Sequence, residues 1–186
     1  MKTTLTLFFF LIVSFTCNAK ELSGISLKET FTYDTTTLQL QGAGIRDKFF
    51  MDLYIASFYT LKPYQDTTAL LNADEPMALS LHILSSLITS EKMEEATREG
   101  FINATDGNTA ALQKEIEMFI AIFKEPISLN DRYDFLYLPS KGVLISKNGL
   151  LKSTIEGLAF KKALFGIWLG DKPAQESLKK NLLGKQ

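Results

Sequence analysis

The alternation of hydrophobic and polar positions predicts four strands in the first half of the chain. Between Ile25 and Tyr33, apolar residues alternate with Ser, Lys and Thr, which is typical of a half-buried strand. Three further strands are predicted at Leu38 toward Ile45, at the aromatic-rich segment Phe49 to Leu61, and at Leu79 to Ile83. Gly42 and Gly44 lie near the end of the second strand, where a bulge or the close approach of another segment is expected.

The hydrophobic period then changes to that of helices. After a loop around Pro63, a short helical stretch is predicted near Thr67 to Leu71. Thr89 or Ser90 can cap a longer helix, and Pro126 ends the one that follows. The apolar stripes of these two helices are predicted to be Met93, Ala96, Gly100, Phe101 and Ala104, then Leu112, Ile116, Phe119, Ile120 and Phe123. Each helix therefore has one face suited to packing on a sheet.

The last third of the chain repeats this order of strands followed by helices. Three short strands are predicted from Arg132 to Ile155, with Asn148-Gly149 as a strong hairpin turn between two of them. Two helices, Leu158 to about Trp168 and Ala174 to Leu183, close the chain. This order predicts a single α+β domain, residues 20–186, with an antiparallel sheet covered by helices on one face.

The N-terminal segment has the pattern of a secretory signal peptide rather than of the fold. Met1-Lys2 is basic, Leu5 to Cys17 is almost wholly apolar, and small residues precede a cleavage site after Ala19. The apolar run is shorter than the ~20 residues that a membrane anchor needs, and lipidation at Cys17 is the minor alternative. We therefore expect residues 1–19 to be removed, no transmembrane segment to remain, and the protein to be periplasmic or secreted.

Composition excludes several kinds of function. The chain has 186 residues, a formal net charge of −1, one cysteine and one histidine. Near-neutral charge argues against nucleic acid as a partner. With one histidine, His82, and a lone Cys17, we expect no disulfide, no metal site and no serine catalytic triad, and we expect no cofactor.

Two separated motifs resemble those of the chalcone isomerase superfamily. The run Gly42-Ala43-Gly44-Ile45-Arg46, followed by Phe49-Phe50 and Ser57-Phe58-Tyr59, is similar to the N-terminal signature of the superfamily. The run from Phe165 to Pro173 is similar to the C-terminal signature of its exported bacterial branch. The resemblance covers nearly the whole mature chain. It implies a large antiparallel sheet layered with helices and a ligand cleft between them.

The resemblance carries over few of the catalytic residues of the plant enzymes. Arg46 matches the arginine that stabilises the reacting oxyanion. Four other positions differ: Tyr54 stands where the enzymes have a threonine, Lys92 and Glu99 where they have a tyrosine and an asparagine, and Ile167 where they have a polar residue. Because oxyanion and enolate stabilisation dominates such a reaction, these replacements argue against cyclisation of chalcones.

Arg46 still has a chemical use, since its guanidinium suits a carboxylate. Superfamily members that bind fatty acids without catalysis are similar in keeping this arginine in an apolar cleft. We therefore predict non-catalytic binding of a small apolar or fatty-acid-like carboxylate, anchored by Arg46. The other residues predicted to contact the ligand are Tyr54, Phe50, Lys92 and Trp168, and further aromatic residues could serve either the cleft or the core.

Three alternatives stay open. Arg46 could be a turn residue paired with Asp47, or could stabilise an oxyanion in an intramolecular lyase or isomerase with an unknown substrate. The protein could instead be a structural partner of an envelope protein, which would predict an exposed apolar patch. A straight strand would separate Arg46 from Tyr54 by ~26 Å, so the two can share a ligand only if the chain turns near Asp47-Lys48.

Overall fold

The structure, a computed structural model, describes residues 21–185. The predicted signal peptide, its cleavage site and Cys17 lie outside these residues. Within the described part of the chain, no helix combines the length and the apolar character needed to cross a membrane.

A seven-stranded antiparallel sheet forms the centre of the fold, and its strands lie side by side in chain order. The strands are β3 (Thr30–Tyr33), β4 (Thr36–Lys48), β5 (Met51–Thr60), β6 (Met77–Ile83), β7 (Arg132–Leu138), β8 (Gly142–Lys147) and β9 (Leu150–Ile155). Before them, β1 (Glu21–Leu22) and β2 (Ile25–Ser26) form a separate two-stranded ribbon. Such sequential pairing needs only hairpins and helical excursions between neighbouring strands.

The predicted first strand, Ile25 to Tyr33, is divided into β2 and β3. Leu27, between them, is buried against Ala43 and Ile55 on the face of the sheet opposite the helices. The chain is not in strand conformation at this point, because it runs across the face of the sheet instead of alongside its strands. We call this face of the sheet the outer face.

Five helices pack on the other face, the inner face. They are α1 (Thr67–Asn72), α2 (Ser90–Ala104), α3 (Gln113–Ile120), α4 (Leu158–Leu169) and α5 (Glu176–Leu182), and short 3₁₀ turns flank α3. Thr89 caps α2 as predicted, since its hydroxyl accepts a hydrogen bond from the Lys92 amide. The predicted stripe of α2 is wrong at one position: Ala96 is exposed and Thr97 is buried.

The core between helices and sheet is rich in aromatic rings. The ring of Phe119 contacts the rings of Phe101, Phe123, Phe135 and Phe160 at centroid distances of 5.2–6.1 Å. Three of these rings, Phe101, Phe119 and Phe123, are among the aromatic residues that the sequence allowed to line a cleft, and here they belong to the core. The inner face is therefore a packed core over most of its area.

The hairpin between β4 and β5 has an unusual two-residue turn. Lys48 pairs with Met51, so Phe49 and Phe50 alone form the turn, with φ of 52° and 65°. Both residues were predicted to begin the third strand, and their place in the turn corrects that prediction. Left-handed backbone is costly for residues with large side chains, roughly 1–2 kcal/mol each, and such turns favour Asn-Gly.

The Phe49→Asn/Phe50→Gly double variant should therefore be more stable than the wild-type protein. Relief of two strained φ angles should raise the free energy of unfolding by about 1–3 kcal/mol in urea denaturation. The Phe49→Ala/Phe50→Ala variant is the control, because alanine removes the rings but keeps the Cβ atoms that disfavour positive φ. Equal stability of all three proteins would show that the turn is not strained.

Candidate functional site

The hairpin brings Arg46 and Tyr54 directly opposite each other on adjacent strands. The turn at Phe49-Phe50, just after Asp47-Lys48, provides the reversal that a shared site requires. Tyr54 is buried in the inner-face core, and Arg46 is half-buried beside it. The two side chains can therefore act on one ligand.

The guanidinium of Arg46 is held by neutral oxygen atoms. Its Nη1 atom donates to Gln175 Oε1 at 2.9 Å and to the main-chain carbonyl of Asp47 at 2.6 Å. The Asp47 carboxylate instead accepts from Gln175 Nε2 at 2.6 Å. Arg46 thus meets only the main chain of Asp47, and no carboxylate within residues 21–185 forms an ion pair with it.

Tyr54 is fixed from the helix side by Trp168. The indole Nε1 of Trp168 donates to the Tyr54 hydroxyl at 2.9 Å, and both side chains are buried. Burial raises the pKa of Tyr54 above its usual value, which the Trp168 hydrogen bond and the nearby Arg46 charge only partly offset. The phenol is therefore neutral at physiological pH, and its proton is available for a ligand oxygen.

Helix α5 lies close to β4 because two positions of the strand carry no side chain. A Cβ atom on Gly42 would overlap the Asn181 carbonyl oxygen, and one on Gly44 would lie 2.7 Å from the Asn181 Cβ. This approach, expected from the sequence only as a general possibility, places Gln175 at the start of α5 next to Arg46. The Gly-x-Gly-x-Arg run therefore positions the arginine and its present partner together.

Three of the five residues predicted to contact the ligand form this cluster: Arg46, Tyr54 and Trp168. The other two do not. Phe50 is fully exposed at the hairpin tip, and Lys92 is exposed in the first turn of α2. Phe50 was predicted to lie in a strand because aromatic residues usually occupy strands. Lys92 was included only because it aligns with a site residue of the family.

Two surface hollows lie near the sheet, and neither is lined by Arg46 or Tyr54. The larger, about 630 Å³, follows the edge of β4 between α5 and the β1–β2 ribbon, and Asp47 and Gln175 line it. Gln175 therefore contacts both the Arg46 guanidinium and this hollow. The smaller, about 190 Å³, lies on the outer face under residues 25–32.

The smaller hollow contains a row of polar side chains that the sequence pattern did not reveal. Ser57, Ser80 and Asp134 are paired across β5, β6 and β7, and all three are buried. Asp134 accepts hydrogen bonds from the Ser80 hydroxyl at 2.5 Å and from Arg132 Nε at 3.0 Å. In the sequence, a sign of this row is that Ser80 alternates with apolar residues. That alternation does not indicate that residues 25–32 cover the outer face.

The buried amino group of Lys161 already has its full set of hydrogen-bond partners. Lys161 is a buried cation whose amino group donates to the carbonyls of Leu70, Leu71 and Ala73 at the end of α1, and burial lowers its pKa to about 8. Its three donors are thus all used.

Among residues 21–185 there is no group of three or more histidine, cysteine or carboxylate side chains placed to hold a metal ion.

Comparison with known proteins agrees with this architecture. A family described as chalcone isomerase-like matches residues 19–184. A fatty-acid binding protein of Arabidopsis thaliana has a similar structure, with a TM-score of 0.69 and 15% sequence identity over 87% of this chain and 92% of that one. At this identity the likeness shows a shared fold. No curated protein matches the chain.

Substituting alanine for each of the two glycines of β4 tests how closely α5 packs on this strand. Gly42→Ala should lower the free energy of unfolding by about 2–3 kcal/mol, because its Cβ would meet main-chain atoms of α5. Gly44→Ala should cost somewhat less, about 1–2 kcal/mol, because its Cβ would meet the Asn181 Cβ, which moves only with the helix, but otherwise the ends of the Asn181 and Leu178 side chains, which can shift. Urea denaturation gives both values, and the reverse order would contradict this account of the packing.

Proposed function

The chain belongs to the chalcone isomerase-like family, and from that premise we propose that it binds a small apolar carboxylate, such as a fatty acid, without converting it. The observation that carries the proposal is the half-buried Arg46 guanidinium, which has no ion-pair partner within residues 21–185 and lies opposite the neutral phenol of Tyr54. The Arabidopsis protein of similar fold is a fatty-acid binding protein, which supports the same class of ligand.

The electrostatics favour an anionic ligand at this position. A partly buried cation loses hydration, and neutral amide oxygens compensate it less well than a carboxylate does. Gln175 Oε1 occupies one donor of the guanidinium at 2.9 Å. A ligand carboxylate would take the place of this amide oxygen, bind the guanidinium through two oxygens, and accept a hydrogen bond from the Tyr54 hydroxyl.

The apolar part of the ligand would lie against the aromatic end of the core. The ring of Trp168 lies 5.9 Å from that of Phe135, and Leu178 of α5 is buried in the same cluster. This region is packed in the structure, so binding would require Gln175 and the start of α5 to move. The hollow along β4 already reaches Gln175, which gives the ligand a direction of approach.

We also propose that the protein acts outside the cytoplasm, in the periplasm or as a secreted protein. The support is the signal-peptide pattern of residues 1–19.

Removal of the Arg46 charge should weaken acids selectively. Arg46→Ala should reduce the affinity for a long-chain fatty acid by about ten- to a hundredfold and leave that for the corresponding alcohol nearly unchanged. Arg46→Lys should restore only part of the loss, because an ammonium cannot bind both carboxylate oxygens in the same way. Isothermal titration calorimetry of acid and alcohol measures the difference.

Arg98→Ala is the matched control, because Arg98 lies on the helix surface and is paired with Glu94 and Glu117. It should leave both affinities unchanged. Equal losses for acid and alcohol in Arg46→Ala would indicate damaged folding, and no loss for the acid would remove Arg46 from the site.

The alternative function, an intramolecular lyase or isomerase, predicts turnover that depends on Arg46. The structure places Lys92 and Glu99 at exposed positions of α2, and Ile167 is buried against Gly100. None of the three supplies a polar group beside Tyr54. We therefore expect no flavanone from a chalcone in an absorbance assay, and rapid cyclisation that disappears in Arg46→Ala would favour the enzyme.

A further inference from the structure

We propose that the tip of the β4–β5 hairpin, Phe49 and Phe50, docks the protein on a lipid bilayer by inserting both rings into its interfacial region. The two side chains are 77% and fully exposed, and Met51 beside them is also exposed. Large apolar side chains grouped in this way on a surface mark a binding site rather than random exposure. We call these three residues the aromatic tip.

The aromatic tip extends beyond the neighbouring strands. The Leu84 amide donates to the Leu53 carbonyl at 2.8 Å, next to the last paired row of β5 and β6. Residues 49–52 continue past this point as a two-stranded extension, and β4 has no partner on its other side here among the described strands. The rings therefore lie at one end of the sheet, beside the β1–β2 turn, whose Ser23 hydroxyl donates to the Asp52 carboxylate at 3.1 Å.

The backbone of the aromatic tip gives a second, independent observation. The turn at Asn148-Gly149 also has two positive φ angles, 53° and 81°, and its residues are those that such turns favour. The turn at Phe49-Phe50 adopts similar φ values with residues that disfavour them. The turn geometry does not explain the choice of phenylalanine, and strain of this kind at an exposed position points to function.

The charges around the aromatic tip are balanced. Arg46 and Lys48 oppose Asp47 and Asp52, and the Lys48 amino group lies 5.6 Å above the Phe49 ring. A lysine over an aromatic ring fits the boundary between headgroups and acyl chains, where the ring is buried and the amino group stays hydrated. Balanced charge predicts binding to zwitterionic lipid, with little dependence on salt.

The area of the aromatic tip favours a bilayer over a second copy of the chain. A buried phenylalanine covers about 150–250 Å², so two rings on each of two copies would bury about 600–1,000 Å² in total. A stable protein interface buries at least about 1,200 Å². A bilayer surrounds a narrow wedge on all sides, so the same two rings are buried completely.

Other exposed apolar side chains lie at the same end of the sheet. The register places the end of β6, the start of β7 and the β8–β9 turn at the end where β4 stops. Leu87 and Leu129 lie in the first two of these connections, Leu150 is the first residue of β9 directly after the turn, and all three are exposed. A protein docked by the aromatic tip would therefore meet the lipid surface with this end.

Docking stands independently of ligand binding, but with the proposed function it implies a source of the ligand. Arg46 lies three residues from Phe49 on the same hairpin. A fatty acid leaving the bilayer at the aromatic tip would have a short path to the guanidinium.

Flotation of the purified chain with phosphatidylcholine vesicles tests the proposal. The wild-type protein should float with the vesicles. The apparent partition coefficient of Phe49→Asn/Phe50→Gly should fall at least tenfold, although this variant is expected to be more stable than wild type. Ile102→Ser/Met118→Ser is the matched control, since it removes two exposed apolar side chains from α2 and α3 and should float like wild type. In Phe50→Trp, the added indole fluorescence should shift to the blue on vesicles and be quenched by brominated acyl chains.

Four results would overturn the proposal. These are no flotation of the wild-type protein, equal flotation of the tip variant, binding that needs anionic lipid and is lost in salt, and self-association in sedimentation velocity that depends on the tip. Arg46→Ala separates this proposal from the proposed function, because it should lose acid affinity but float normally. In Arg46→Ala, unchanged acid affinity with normal flotation would contradict the proposed function alone, and lost flotation with lost acid affinity would contradict the docking proposal alone.

Discussion

The contact between helix α5 and strand β4 organises the whole candidate site. Without side chains at Gly42 and Gly44, the helix main chain and the strand come close enough for Gln175 to bond both Arg46 and Asp47. The same approach buries Leu178 and Leu182 in the core. Two absent methyl groups thus allow Gln175 to contact the guanidinium and bring α5 to the border of the larger hollow.

This constraint is why we propose binding rather than catalysis for Arg46. Arg46 and Tyr54 are held from two sides, by Gln175 and by Trp168, and both present hydrogen-bond donors. The positions that would complete an enone-cyclising site have either become apolar, as at Ile167, or lie at the surface, as at Lys92. Anion binding needs only the local pair, whereas catalysis needs the whole constellation.

The sequence predicted the elements well because each depends on local pattern, and it predicted contacts less well because these depend on packing. Alternation located β6, the Asn148-Gly149 dipeptide located the hairpin between β8 and β9, and the family motif located Arg46. The sequence could not show that residues 25–32 cover the outer face and bury Asp134, since a polar residue in a strand normally faces water. Phe49 and Phe50 were assigned to a strand because β-propensity is strong for aromatic residues, and only the register shows that they turn.

One short hairpin therefore has two different physical roles. Near its base, cross-strand pairing holds a cation at the border of the core, where the packing of α5 limits its motion. At its tip, the same two strands hold two apolar rings in water, and the positive φ angles of the turn lower the free energy of unfolding. The pairing runs from Arg46 with Tyr54 to Lys48 with Met51, but it is interrupted by a bulge at Leu53, between Arg46 and the tip. The strained turn and the proposed anion site thus share one hairpin, and the bulge separates them.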